Sequence, residues 1–64
     1  SSNLSIDEAY KILGIKKGSS KEEIINAANK LQKKIHPDLN PKSNTERLSQ
    51  IVNEAKETVL KDIS

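Results

Sequence analysis

The residues in this chain best suited to chemistry are its single histidine, His36, and the aspartate two positions on, Asp38, with Pro37 between them. An imidazole changes charge near neutral pH and a carboxylate can orient it, so the pair could serve as a base and its orienter. The other parts of such a site are missing. The sequence has no cysteine, no serine framed by glycines, and no second set of ligands at metal spacing. It therefore reads as a non-enzyme without cofactor or metal. His36 and Asp38 are left as polar groups that the chain can present to something else.

Presenting them requires a shaped loop between two rigid elements. Pro37 cannot sit inside a helix, because its ring clashes with the preceding turn, and it moves His36 away from the α region. A helix must stop near Ile35. Pro41 repeats the interruption, and Asp38, Asn40, Ser43 and Asn44 are turn formers that bond their own backbone.

The elements on either side follow from apolar spacing. Ser5-Ile6-Asp7-Glu8 has the pattern of a capping box, and Ile6, Ala9, Tyr10 and Leu13 form a stripe of 3.6-residue period that ends at Gly14. A short helix is predicted over about 6–13. Ser20-Lys21-Glu22-Glu23 repeats the box and opens a second helix over about 21–35, with Ile24, Ala27, Ala28, Leu31 and Ile35 as its apolar stripe. Leu31 is the expected centre of the packing. Ser43-Asn44-Thr45-Glu46 suggests a third box. The helix it opens is predicted over about 45–61, with Leu48, Ile51, Val52, Ala55 and Val59 inward. No segment alternates as a strand does. The fold class is all-α: an antiparallel hairpin of the second and third helices with the short first helix packed across it.

Composition bounds the rest. Sixty-four residues make one domain, with residues 1–4 as a flexible N-terminus, and a chain of this size buries only about 60% of its unfolded surface. The domain reads as excised from a longer chain. With one aromatic residue, Tyr10, the core must be aliphatic, and Tyr10 itself is expected in it. No apolar run approaches the roughly 20 residues needed to span a bilayer. Eleven basic against nine acidic residues give a net charge of +2, too balanced to indicate nucleic acid. The positive charge is local: after Glu23 every charge on the second helix is a lysine, and Lys30, Lys33 and Lys34 fall together on the exposed side leading to His36.

The order EAYKILGI (Glu8 to Ile15), SKEEIINAANKL (Ser20 to Leu31), IHPD (Ile35 to Asp38) and VNEAK (Val52 to Lys56) resembles a J-domain, the co-chaperone module of the DnaJ family. The resemblance spans Asp7 to Leu60. It implies a partner, a DnaK-type heat-shock chaperone whose ATP hydrolysis the domain stimulates. It also implies chaperone-binding roles for His36, Pro37 and Asp38 and for the basic surface of Lys30, Lys33 and Lys34. Where many J-domains carry Tyr and a basic residue on the second helix this chain has Ala28 and Asn29. Leu39 replaces a Lys after the triplet, and Ser49 replaces a core Phe. EAYKILG and NEAK look most like the short membrane-tethered J-proteins of the mitochondrial import motor and their bacterial relatives. The implied location is cytoplasmic, or the cytoplasmic or matrix face of an inner membrane if the full chain is anchored, with no membrane contact by this segment.

Two other readings compete. A basic helix in a three-helix domain suggests helix-turn-helix binding to nucleic acid, but that motif joins its helices by a turn of about three or four residues, and this loop is longer. The second is a J-like adaptor that pairs with another J-type domain and stimulates nothing. An intact His-Pro-Asp argues against it. By residue chemistry alone, a lone histidine beside a Pro-Asp turn is more often a turn residue than a functional one. The flanking helices change that balance.

Overall fold

The computed structural model describes residues 4–35 and 42–64, with the backbone alone at 42 and 43. It contains three helices, α1 (Ile6–Leu13), α2 (Lys21–Lys34) and α3 (Lys42–Ile63), and no strand among the described residues. The all-α expectation holds.

Helix α1 has the predicted bounds because both ends are chemically marked. Ser5 is extended (φ −74°, ψ 160°), and its Oγ accepts from the Glu8 amide at 3.1 Å while donating to Glu8 Oε1 at 3.0 Å. At the other end Gly14 adopts φ 69°, where a side chain would be strained, and its N–H donates to the Lys11 carbonyl at 3.1 Å. Helix α2 opens on a complete capping box. The Ser20 Oγ accepts from the Glu23 amide and Glu23 Oε1 accepts from the Ser20 amide, both at 3.1 Å. It ends at Lys34, one residue before the predicted limit, because Ile35 has already turned out of the helical region (φ −84°, ψ 72°).

Helix α3 departs further from expectation. It begins at Lys42, three residues before Thr45, and runs to Ile63, two beyond Lys61. Ser43-Asn44-Thr45-Glu46 is thus part of the first turn and does not open the helix as a capping box at Ser43. A serine three residues before a glutamate fits a helix interior as well as a cap, and the helix cost of Ser, Asn and Thr is only a few tenths of a kcal/mol each. The last turn is held from outside the helix: the Tyr10 hydroxyl donates to Asp62 Oδ2 at 3.2 Å.

One cluster forms the core: Ala9, Tyr10 and Leu13 of α1, Ile24 and Ala28 of α2, and Val52, Ala55 and Val59 of α3. Helix α1 lies across the hairpin, packing chiefly on α3 and lightly on α2. Ile24 and Val59 are the largest fully buried side chains, and each contributes about 1.5–3 kcal/mol by leaving water. Leu31 is not the centre that its stripe suggested. It is half-buried at the edge of the cluster, together with Ala27 and Ile35. Ile6 and Leu48, also on the apolar stripes, remain 40% and 43% exposed. For Leu31 and Leu48 the reason is geometric: α1 is only 8 residues long and covers one end of a hairpin built from helices of 14 and 22. Leu4 also packs against the cluster.

Candidate functional site

The surface that sequence singled out begins on α2. Its capping box fixes where the helix starts and hence the rotation of every later residue. The Ser20 amide, and then its hydroxyl, hold the Glu23 carboxyl below the usual glutamate range, as expected for an anion bonded at a helix N-terminus. With Ile24 and Ala28 anchored in the core, the opposite side of α2 must face water.

Lys30, Lys33 and Lys34 are all exposed there. At about 100° per residue Lys30 and Lys34 stand about 40° apart, and Lys33 about 60° to the other side of Lys30. The structure divides them accordingly. Lys30 and Lys34 line a shallow groove of about 380 Å³ with Ile15, Ala27 and Leu31, and Lys33 does not line it. The groove combines aliphatic surface with two ammonium groups and, at its other edge, the Glu23 carboxylate that caps α2, which leaves one net positive charge. That arrangement suits an acidic partner surface with an apolar component. His36, Pro37 and Asp38, the other residues assigned from sequence, lie outside the described residues. So does Leu39.

Two further residues mark the same end of α2. Gln32 Nε2 donates to the Ser49 carbonyl at 3.1 Å, and Ser49 Oγ donates to Gln32 Oε1 at 2.7 Å. Ser49 stands out in the sequence as a polar residue in a core position, whereas Gln32 does not. The available signal was its place on the flank of the α2 stripe, one residue after Leu31, where a side chain turns toward α3.

Tyr10 is 5% exposed and belongs to the core, as its spacing indicated. Burial, and secondarily the bond and negative charge of Asp62, push its phenol above the ordinary tyrosine range. No helix is long and apolar enough to cross a membrane among the described residues.

A short helix packed across a two-helix hairpin, with a lysine-bearing second helix followed in sequence by a His-Pro-Asp triplet, defines a small all-α domain. Comparison with known families agrees: the DnaJ domain model matches residues 8–64, and the chain belongs to that family. It is 48% identical over 52 residues to a chaperone protein DnaJ of Lactiplantibacillus plantarum, covering 81% of this chain and 14% of the relative. It is 45% identical over 53 residues to chaperone protein DnaJ of Macrococcus caseolyticus, covering 83% and 14%. It is also 45% identical over 51 residues to chaperone protein DnaJ of Mesoplasma florum, covering 80% and 14%. The chain thus spans about a seventh of the length of these relatives. No solved structure matches it.

Proposed function

We propose that this domain is a co-chaperone module that docks on a DnaK-type heat-shock chaperone through α2 and stimulates ATP hydrolysis through His36, Pro37 and Asp38. The observation that carries this reading is the exposed lysine surface of α2, which leads directly into the His-Pro-Asp triplet in a chain of the DnaJ domain family. The domain makes and breaks no bond itself. Its contacts bias the chaperone toward its hydrolysing conformation, which requires that they be stronger in that state than in the resting one. Lys30, Lys33 and Lys34 supply attraction over distance, so association weakens as salt shortens the Debye length from about 10 Å at 0.1 M to about 3 Å at 1 M. Asp38 supplies the sharpest contact, because a carboxylate can take a bidentate, charge-assisted bond from an arginine and an amide cannot.

Single-turnover ATP hydrolysis by the cognate DnaK-type chaperone tests this, with wild-type domain, Asp38→Asn, His36→Gln and the Lys30→Glu/Lys34→Glu pair, and circular dichroism alongside. Both loop variants should stay folded and lose stimulation at saturation. The lysine reversal should raise the concentration needed. Full stimulation by folded Asp38→Asn and His36→Gln would overturn the reading and leave the adaptor that pairs with another J-type domain.

A further inference from the structure

The Gln32–Ser49 pair is not used by the docking surface above, and it sits where the hairpin changes character. Toward α1 the two long helices meet through fully buried aliphatic side chains. Toward the other end Leu31, Ile35 and Ile51 are half-buried and Leu48 is exposed. Beside the pair opens a groove of about 610 Å³ lined by Gln32, Thr45, Glu46, Ser49, Gln50 and Asn53, polar side chains throughout. Apolar contact is non-directional and tolerates rotation. Two hydrogen bonds between the same two residues do not, because each needs its own distance and angle.

The geometry points to Gln32 and Ser49 as positioning residues, a two-bond clamp that fixes the rotation of the last turn of α2 against α3. The direction in which Lys33 and Lys34 are offered to a partner then depends on it. The functional half of this inference rests on the docking reading above. Its mechanism is a population effect: without the clamp the last turn samples several settings, and a partner that needs one of them binds with an affinity reduced by the fraction competent. Once bound, the domain is in the same setting as before. Loss of the clamp should therefore raise the half-saturating concentration and leave the saturated rate intact, the opposite of what Asp38→Asn does.

The test takes the domain as Gln32→Leu, Ser49→Ala, both together, and Ser49→Thr, which keeps the hydroxyl. Each is first shown by circular dichroism to be fully folded at the assay temperature. Amide hydrogen exchange of residues 33–35 and a titration of chaperone stimulation are then measured. Gln32→Leu, which removes both bonds, should speed exchange at these amides about thirtyfold, the scale of two ordinary hydrogen bonds, with Val52 to Val59 unchanged, and raise the half-saturating concentration by a similar factor. The double variant should be no worse than the worse single, since one interaction cannot be lost twice, and Ser49→Thr should match wild type. Unchanged exchange in folded Gln32→Leu, multiplicative losses in the double variant, or a fall in saturated rate would overturn the clamp. If wild-type domain stimulates no chaperone, the docking reading fails separately, and the exchange data still decide whether the clamp exists.

Discussion

The two ends of the α2–α3 hairpin are built by different means. The end that α1 covers is dry: Ile24, Ala28, Val52, Ala55 and Val59 close on Ala9, Tyr10 and Leu13, all at most 5% exposed. The far end, from which the chain runs on to His36, is held by half-buried aliphatics and by Gln32 bonded to Ser49. The contrast teaches that dry packing and polar bonding hold opposite ends of one hairpin, and under the proposed function the first serves stability and the second presentation. Stability needs close packing, and presentation needs a defined direction that bulk burial does not supply.

The largest effect expected from this contrast is at the dry end. Ile24→Ala removes most of a fully buried side chain and should cost about 2–5 kcal/mol, enough to lower the thermal midpoint by more than about 10 °C in a domain this small. A circular dichroism melt measures it. Leu31→Ala at the far end should cost about half as much or less, because its side chain already meets water, and urea unfolding compares the two directly. Equal losses would abolish the distinction between the ends.

That second comparison marks what the sequence could and could not disclose. Ser5, Gly14 and the Ser20–Glu23 box located three helix boundaries because each is a local event, settled by residues within one turn. The stripe through Leu31 was equally visible, but periodicity tells which face is inward and not what lies opposite. With α1 covering only the other end, Leu31 became an edge. The start of α3 lies before Ser43 although the pattern there suggests a cap, because a cap pattern and a first helical turn share the same residue types. At its other end α3 runs two residues past Lys61, into a turn where Asp62 accepts from Tyr10, 52 positions away, a contact that no local pattern announces. In the site, the lysines were legible as an exposed face. Their rotation about α2 already sets Lys33 apart from Lys30 and Lys34, but the groove beside the latter two depends on Leu13, Gly14 and Ile15, which come from an earlier part of the chain.

The smallest effect sharpens the dry end further. Tyr10→Phe keeps the packed ring and removes the bond to Asp62, so it should cost about 1 kcal/mol. The phenol of the folded protein, its pKa raised chiefly by burial, should ionise above the ordinary tyrosine value of 10.0. Above pH 10 the unfolded chain therefore holds fewer protons than the folded one, and stability falls as pH rises. An absorbance titration of the phenolate should show a midpoint higher in buffer than in urea. Asp62→Asn should bring it down only in part, and complete normalisation would mean that the carboxylate, not burial, is the main cause.

The bond from Tyr10 to Asp62 also bears on how the chain assembles. It closes a separation of 52 residues, against 17 for the bonds from Gln32 to Ser49. Loop-closure entropy grows only with the logarithm of length, so the longer closure costs about 1 kcal/mol more. That small excess is set against most of the apolar surface in the molecule, because Val52, Ala55 and Val59 lack the contribution of Ala9, Tyr10 and Leu13 until α1 arrives. An α2–α3 hairpin alone is therefore a poor resting place. Although every element is helical, the most extensive contact between elements joins α1 to α3, the two sequence-distant ends of the chain, so the finished core depends on non-local pairing.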